Sequence, residues 1–301
     1  MKLAILGAGA YGTALGNLAT ENGHEIKYYD PLKFPEEARP GNSLKSVIAD
    51  ADAILFVAPA KTAEKTISAI ANEIPEVAEN TPLICASKGF LAKKPFAKIK
   101  NFSALGGAAF AEDIESETPR LGNKIVLTAS SELSEQLFST EFLTVEYTPD
   151  TFGIMLCGAL KNIYAIGAGL ENVNVNLKNA VAASENKTEV NKTYFENVYE
   201  ELKSFLAENG ADPETAKLSC GLPDLLMSVA GNSRNYLYGK SLAENAKNAK
   251  SAETTKNQTS PNNPLAEGVT AIESLKNSDL KIPETATIFK NIVERITHAP
   301  K

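Results

Sequence analysis

The sequence predicts an α/β domain with a doubly wound parallel sheet, followed by an all-α domain. Short apolar runs alternate with amphipathic helical patterns up to about residue 148, which is typical of a parallel sheet covered by helices. A glycine pattern, "GAGAYG", stands between the first apolar run and the first helical pattern. Beyond residue 150 almost no strand pattern remains. We therefore expect two domains, 1–148 and 149–301.

In the first domain, strands are predicted at the short apolar or alternating runs 2–6, 25–29, 53–57, 82–87, 102–107, 124–130 and 143–148. Helices are predicted between them at 10–22, 61–74, 110–114 and 131–138. In the second domain, Asp150 has the side chain of a helix N-cap. The helices expected after it are 151–170, 190–209, 213–229, 234–247, 265–277 and 284–297. The polar segment 246–264 is predicted to be a surface loop or partly mobile.

Composition excludes several classes of partner. The 301-residue chain has a net charge of -7, which argues against nucleic acid or an anionic membrane as the main partner. A small anion remains possible, because a few local cations can hold a phosphate. The three cysteines are far apart and are expected to be buried thiols in a reducing cytoplasm, and no metal-ligand spacing occurs. The run 151–170 is long enough to span a membrane, but its central lysine favours a buried core helix.

The glycine pattern predicts a dinucleotide site. Gly7 permits a tight turn, Gly9 lets a pyrophosphate approach the backbone, and Gly12 allows close packing of helix and strand. The start of the helix, at Ala10 and Tyr11, then points its N–H groups at the phosphates.

Asp30 ends the second predicted strand, where an acidic residue would bind the adenosine ribose and favour NAD. It could instead be a turn residue before Pro31. Lys27 and Lys33 are close enough in sequence to bind a 2′-phosphate. NAD is therefore favoured over NADP, and both stay open.

The stretch "CGALKNIYAIGAG" contains the most unusual charge in the chain. Lys161 is the only charged residue between Asp150 and Glu171, and its neighbours are small or apolar. An unpaired buried charge is costly, so a role is expected. A lysine ammonium can donate a proton to a ketone if burial lowers its pKa towards neutrality. The alternative is a side chain that extends to the surface.

Several stretches resemble the NAD(P)-dependent glycerol-3-phosphate dehydrogenase family of the bacterial type, over nearly the whole chain. They are "GAGAYGTAL", "AILFVAPA", "LICASKGF", "GGAAFAEDI", "GALKNIYAIGAGL", "NAVAA", "GLPDLL", "SRNYLYG", "LAEGVTAIESL" and "IPETATIF". The resemblance implies a Rossmann domain followed by a helical substrate-binding domain. It also implies interconversion of sn-glycerol 3-phosphate and dihydroxyacetone phosphate in the cytoplasm, by a homodimer without integral membrane association.

The resemblance also implies residue roles. Lys161 is similar to the family's catalytic acid/base, Lys88 to a second lysine that contacts the substrate, and Asp224 to a carboxylate near the catalytic lysine. The implied substrate-binding residues are Lys88, Gly107, Asn162, Ser233, Arg234 and Asn235. The implied cofactor contacts are Gly7, Gly9, Ala10, Tyr11, Gly12, Asp30, Pro59, Ala111, Arg234 and Glu267. Lys88 would lower the pKa of the catalytic ammonium, and Asp224 would oppose this and orient it.

Simpler roles remain open for three of these residues. Lys88 could be a solvated turn residue, Asp224 a helix N-cap, and Arg234 a surface arginine. The chain also departs from the family. Ala108 and Ala109 in "GGAAFA" replace a proline and a hydroxyl residue, and an arginine-bearing stretch is replaced by a longer segment around 184–195. "GLPDL" carries a proline in place of a glycine, and the segment 31–52 is short.

Two other functions compete with the first. One is a related dehydrogenase for another small phosphorylated or carboxylated keto or hydroxy compound. By resemblance, its catalytic helix separates lysine and asparagine by a full turn, whereas Lys161 and Asn162 are adjacent. The other is a dinucleotide-binding redox sensor without catalysis, which the altered "GGAAFA" favours and the presence of Lys161 disfavours.

Overall fold

A computed structural model describes residues 1–33, 43–87, 97–116, 125–175, 189–251, 267–276 and 278–298. Lys88, residues 184–188 and residues 252–264 lie outside these residues, so the predictions made for them stay predictions. Residues 189–195 belong to a helix, and the prediction of a surface loop is wrong for residues 246–251, which continue a helix to Ser251. The chain separates into two compact units, Met1–Met155 and Leu156–Lys301.

The first unit is built on one seven-stranded sheet. Its strands are β1 (Lys2–Leu6), β2 (Glu25–Tyr29), β3 (Ala53–Phe56), β4 (Leu83–Cys85), β5 (Phe102–Gly107), β6 (Ile125–Ala129) and β7 (Leu143–Tyr147). They lie in the order β2-β1-β3-β4-β5-β6-β7. Leu6 pairs with Tyr29 on one side and with Phe56 on the other, so β1, β2 and β3 end at the same edge.

The helices of the first unit follow the strands. They are α1 (Ala10–Glu21), α2 (Leu44–Ile48), α3 (Ala60–Glu73), α4 (Pro75–Asn80), α5 (Ala111–Ile114) and α6 (Leu133–Phe138). α1 and α6 bury Leu15, Leu18 and Leu137 against sheet residues such as Ile5 and Leu127. The predicted Rossmann-type α/β class is confirmed.

One strand pair departs from the predicted parallel sheet. β5 and β6 pair antiparallel, whereas β6 and β7 pair parallel. A parallel crossover needs a connection, usually a helix, that is long enough to cover the sheet. In the described part of the β5–β6 connection the only helix is the four-residue α5. The sequence pattern locates both strands but does not encode their relative direction.

The described residues of the second unit form helices joined by turns and irregular segments, with no strand among them. After α7 (Thr151–Leu170), which begins in the first unit, it contains α8 (Glu189–Glu208), a 3₁₀ helix (Pro213–Lys217), α9 (Leu222–Ala230), α10 (Arg234–Ser251), α11 (Glu267–Lys276) and α12 (Thr287–Thr297). The prediction of one helix over 213–229 is wrong. A Cβ on Gly221 would lie 2.2 Å from the carbonyl oxygen of Ala216, so the chain turns back on itself there. Pro223 then lies in the first turn of the new helix, where proline is tolerated.

α7 begins where the sequence predicts. The Asp150 carboxylate accepts a 2.9 Å hydrogen bond from the N–H of Gly153, which is the expected capping contact. α7 is also the one described helix that is long and apolar enough to cross a membrane, and 94% of its apolar window is buried inside the protein. It is thus the core helix of the second unit, as predicted.

A buried carboxylate ties three helices of this unit together. Glu201 of α8 accepts hydrogen bonds from the Tyr164 hydroxyl at 2.9 Å and from the N–H groups of Ile288 at 2.7 Å and Phe289 at 3.1 Å. It therefore caps the start of α12 from a neighbouring helix, where a negative charge is favourable. Burial, with a smaller contribution from Glu201, raises the pKa of Tyr164 well above its usual value, so its hydroxyl stays a donor.

α7 and α10 cross with their backbones in direct contact. A Cβ on Gly239 would lie 2.0 Å from the carbonyl oxygen of Ile166, and one on Gly169 would lie 2.1 Å from that of Tyr236. Because backbone atoms of the other helix lie this close, a side chain larger than hydrogen at either glycine would push α7 and α10 apart. The two glycines therefore set how closely α10 approaches the helix that carries Lys161.

Replacing Gly239 by alanine should force α7 and α10 apart. We expect Gly239→Ala to lower the free energy of unfolding by about 1–3 kcal/mol, the usual cost of overpacking. Gly158→Ala is the matched control, because a Cβ at that α7 position meets no described atom within 4 Å. The control should raise stability by about 0.5–1 kcal/mol, since alanine is the better helix residue. Urea unfolding followed by circular dichroism measures both, and equal stability of the two variants would contradict the close crossing.

Candidate active site

The glycine turn after β1 has the features of a dinucleotide site. Gly7 has φ +115°, and a Cβ there would lie 2.7 Å from the amide nitrogen of Ala58. A Cβ on Gly12 would lie 2.1 Å from the carbonyl oxygen of Gly7. Only glycine fits at either position, and the first turn of α1 therefore packs directly on the end of β1. These are the roles that the sequence predicts for the two residues.

Gly9 behaves differently, since a Cβ there would meet no described atom within 4 Å. It is the residue before α1, with Gly9 and Ala10 both exposed. Close internal packing therefore does not explain this glycine. An open backbone at a helix start fits a pyrophosphate, which needs near approach and N–H donors.

Asp30 holds the glycine turn. Its Oδ2 accepts from the N–H of Ala8 at 2.9 Å, and its Oδ1 accepts from the N–H groups of Leu32 and Lys33, each at 3.1 Å. These three bonds make it a turn residue, as one alternative predicted. A carboxylate accepts about four hydrogen bonds. The residues that the structure describes thus leave one position on Oδ2 open to a ribose hydroxyl, and the two predicted roles are compatible.

The two lysines that could bind a 2′-phosphate are engaged elsewhere. The Lys33 ammonium donates to the carbonyl oxygen of Ala8 at 3.1 Å. The Lys27 ammonium lies 2.9 Å from Asp50, and hydrogen bonds from Lys27 and Lys2 hold the pKa of that carboxyl at about 2. The Lys27–Asp50 pair is exposed and contributes little to stability, whereas the Lys33–Ala8 bond is partly buried.

The remaining predicted residues of the first unit lie at strand ends or helix starts. Pro59 precedes α3, and Ala111 is the first residue of α5. Gly107 ends β5 with φ +142°, and a Cβ there would lie 2.9 Å from the Cα of Leu127. Packing against β6 is therefore a sufficient reason for this glycine. Ala109, which replaces a hydroxyl residue of the family, is buried in the hydrophobic core.

In the second unit, Lys161 has two buried polar partners. Its Nζ donates to Oδ1 of Asp224 at 2.9 Å and to Oγ of Ser228 at 2.9 Å. The side chains of Lys161 and Asp224 are each only 5% exposed. The burial of Lys161 excludes a side chain that extends to the surface. Asp224 is not the N-cap of α9, because Gly221 holds that position. The carboxylate and the hydroxyl fix the direction of the Lys161 Nζ, as a proton donor in this position requires.

Ser228 was not among the predicted site residues. It lies four residues after Asp224, so both side chains project from the same face of α9. The spacing is visible in "DLLMS", but a serine in an apolar helix is equally expected to bond its own backbone. Only the position of α7 shows that Lys161 is its partner.

Two buried asparagines bond to each other, and one of them, Asn162, is the residue after Lys161 in α7. Asn162 donates from Nδ2 to the carbonyl oxygen of Gly158 at 3.2 Å. Asn235 donates from Nδ2 to Oδ1 of Asn162 at 2.9 Å and accepts from the N–H of Gly268 at 2.9 Å. The predicted residues Asn162 and Asn235 are thus brought together.

The start of α10 carries the other predicted anion-binding residues. Arg234 Nη2 lies 3.0 Å from Oε1 of Glu267, and the side chains are 69% and 44% exposed. Oγ of Ser233 accepts from the N–H of Tyr236 at 3.4 Å, a capping contact. Arg234 and Glu267, predicted to bind the phosphate and the cofactor, are therefore paired with each other at the surface of the second unit.

The three cysteines are free and buried, as predicted. Burial raises the pKa of the Cys85 thiol to about 12, so it remains a neutral thiol at physiological pH. This excludes a Cys85 thiolate as a nucleophile.

Comparison with known proteins identifies one family. The family model for the NAD-dependent glycerol-3-phosphate dehydrogenase C-terminus matches residues 150–299. The chain is 26% identical to glycerol-3-phosphate dehydrogenase [NAD(P)+] of Leptospira biflexa over 92% of this chain and 87% of the relative. The enzyme of the same name from Streptococcus equi subsp. zooepidemicus is 27% identical over 97% and 92%.

A solved structure shares the fold. The glycerol-3-phosphate dehydrogenase of Coxiella burnetii superposes with a TM-score of 0.69 at 19% identity, covering 99% of this chain and 98% of that protein. The likeness extends over both units of the chain and supports the α/β class with a helical second half.

Breaking the Lys161–Asp224 pair from one side should be more damaging than removing both charges. Asp224→Asn leaves a buried ammonium without its carboxylate, and we expect a loss of about 3–5 kcal/mol in the free energy of unfolding. The double variant Lys161→Met/Asp224→Asn should recover most of this loss. Glu200→Gln is the control, because this exposed carboxylate lies 3.2 Å from Lys203 at the surface, and we expect a loss of under about 1 kcal/mol. Additive single effects in a double-mutant cycle would contradict a direct charge interaction.

Proposed function

Because the chain belongs to the NAD-dependent glycerol-3-phosphate dehydrogenase family, we propose that it interconverts dihydroxyacetone phosphate and sn-glycerol 3-phosphate. In the reductive direction one hydride and one proton are added to the ketone carbonyl. The observation that carries the proposal is the buried ammonium of Lys161, held by Asp224 and Ser228 in the half of the chain that the family model matches.

The cofactor is NAD or NADP, which supplies the hydride when bound. The residues of the first unit fit a dinucleotide. Gly7 and Gly12 form a turn that only glycine can make, and Gly9 leaves the start of α1 open to a pyrophosphate. Asp30 keeps one acceptor position for a ribose hydroxyl.

Lys161 is the proposed proton donor to the carbonyl oxygen. Oδ1 of Asp224 stabilises and orients the ammonium, and Oγ of Ser228 fixes a second N–H direction. An oriented general acid typically contributes about 10²–10⁴ in rate. In the reverse direction the neutral amine would accept the proton of the alcohol.

Arg234 is the proposed partner of the substrate phosphate. Its planar guanidinium can form paired hydrogen bonds with phosphate oxygens, and it lies in the first turn of α10, where an anion is favourable. Its 3.0 Å pair with Glu267 is exposed and therefore weak, so an incoming phosphate can replace the carboxylate.

We also propose NAD as the preferred cofactor. The carboxylate of Asp30 would repel a 2′-phosphate, the Lys27 ammonium is paired with Asp50, and the Lys33 ammonium donates to the carbonyl oxygen of Ala8. A cytoplasmic homodimer acting on lipid precursors is the corresponding proposal for the cellular context.

The assay that tests the function uses purified protein, NADH or NADPH, and dihydroxyacetone phosphate, with loss of absorbance at the cofactor's band as the readout. We expect turnover by the wild type and a fall in kcat of about 10²–10⁴ in Lys161→Ala, because the general acid is lost. Lys203→Ala removes a lysine of α8 that pairs with Glu200 and should retain full activity.

Absence of turnover with both cofactors would reject the proposed activity. Turnover with another keto acid or ketose phosphate would then support the related dehydrogenase, and cofactor binding alone would support the sensor. Unchanged kcat in Lys161→Ala would reject the proton-donor role while leaving the activity.

A second measurement tests cofactor choice. We expect a higher kcat/KM for NADH than for NADPH, and Asp30→Asn should reduce this ratio about tenfold, since a hydrogen bond to a charged acceptor contributes about 1.5 kcal/mol. Lys27→Ala should leave the ratio unchanged, because the Lys27 ammonium bonds to Asp50. A wild type that prefers NADPH, or a ratio that rises in Lys27→Ala because NADPH loses a phosphate contact, would assign the selection to the lysines.

A further inference from the structure

We propose that Asn235 is a positioning residue that fixes the amide of Asn162 beside Lys161 through a hydrogen-bond relay. The relay begins at the N–H of Gly268, which donates to Oδ1 of Asn235 at 2.9 Å. Nδ2 of Asn235 donates to Oδ1 of Asn162 at 2.9 Å, and Nδ2 of Asn162 donates to the carbonyl oxygen of Gly158 at 3.2 Å. The role in catalysis rests on the proposed function.

The two ends of the relay fix its direction. The N–H of Gly268 can only donate, and the carbonyl oxygen of Gly158 can only accept. An amide side chain carries its acceptor and its donors on opposite atoms. If either Asn235 or Asn162 turned over, a donor would face a donor or an acceptor would face an acceptor. Both side chains are buried, so water does not offer an easy replacement.

The backbone around the relay leaves it little freedom. A Cβ on Gly268 would lie 2.7 Å from the carbonyl oxygen of Asn162 and 2.6 Å from Cδ1 of Ile166. The first turn of α11 therefore rests directly on α7, one turn or less from Lys161. Asn235 bonds to Asn162 of α7 and to Gly268 of α11, and the backbone contact between these two helices sets the distance between its two partners.

Two adjacent contacts join the starts of α10 and α11. Arg234 pairs with Glu267 at the surface, and the next residue in each helix, Asn235 and Gly268, forms the buried bond. The exposed pair alone would contribute little. The buried bond therefore fixes the start of α10, with Arg234, relative to α11, and the Asn235–Asn162 bond fixes it relative to α7.

The relay gives Asn162 a defined direction for catalysis. One N–H of its amide donates to the carbonyl oxygen of Gly158, which fixes the direction of the second N–H on the residue that follows Lys161. A reaction that needs the ketone oxygen within reach of the ammonium depends on such fixed donors. Losing the relay should therefore lower kcat, even though Asn235 acts through Asn162.

The variant Asn235→Asp tests the relay with almost no change in shape. An ionised carboxylate can accept from Gly268 but presents an oxygen to Oδ1 of Asn162, and these two acceptors repel. A protonated carboxyl donates there and restores the chain. We expect kcat at pH 8, relative to wild type, to fall about ten- to hundredfold, the effect of one broken buried bond. The relative kcat should recover as the pH is lowered towards 5.5.

Three other measurements control for the surroundings. The charged groups next to the relay are Lys161 with Asp224 and the pair Arg234–Glu267, so every rate is divided by the wild-type rate at the same pH. Asn235→Ala should be slow at all pH values, because it can never donate. Tyr236→Phe removes the neighbouring 2.8 Å bond to Asn174 and should show a relative rate that does not depend on pH.

The unfolding temperature of each variant, measured without substrate, gives a second readout. A carboxyl at position 235 should have a raised pKa in the folded state, so Asn235→Asp should be most stable at low pH and lose stability as the pH rises. The unfolding temperature tests the relay without an activity assay. It therefore applies even if Asn235→Asp is inactive. It also applies if the wild type fails to reduce dihydroxyacetone phosphate, a result that would reject the proposed function.

Three results would overturn the proposal. One is an unfolding temperature of Asn235→Asp that follows the wild type at every pH. Another is a relative kcat that is equally low at pH 8 and pH 5.5. The third is a rise in KM for dihydroxyacetone phosphate with unchanged kcat, which would make Asn235 only a direct phosphate contact.

Discussion

The buried ammonium of Lys161 is the constraint on which the second unit depends. A charge placed in an apolar helix is tolerated only with close, correctly oriented partners, and α9 supplies both within one helical turn. Asp224 and Ser228 are four residues apart, so they reach Nζ together from one face. α9 is a short helix that follows a tight turn at Gly221 and has a proline in its first turn. The bonds of Asp224 and Ser228 to Lys161 hold it against α7.

Meeting that constraint requires helices that approach one another more closely than side chains usually allow. α7 meets α10 at Gly169 and Gly239, and it meets α11 at Gly268, in each case with backbone atoms in contact. Close approach leaves no room for water, so the polar groups trapped there must bond to each other. The paired amides of Asn162 and Asn235 do so. Small residues around the lysine are therefore a requirement of the packing as much as of any ligand.

The predictable parts of this structure are those that local chemistry specifies. The bounds of α7 follow from the capping side chain of Asp150 and from an unbroken apolar run, and the role of Gly7 follows from a turn that needs positive φ. The antiparallel pairing of β6 and the break at Gly221 depend on contacts with distant segments and have no local pattern. Glu201 shows the same limit, because its partners are 37 residues before it and 87 and 88 residues after it. No periodicity in α8 marks it as the cap of α12.

The candidate site divides along the same line. Resemblance to a family selected Lys161, Asp224 and Asn235, but it could not find Ser228 or say what the amide of Asn235 bonds to. Asp30 illustrates why the two kinds of information must be combined. The sequence offered a ribose ligand or a turn residue as alternatives, whereas the geometry gives it three backbone bonds and leaves one acceptor position. Three backbone bonds already hold this carboxylate at the glycine turn, so the proposed ribose contact would need no further ordering of the side chain.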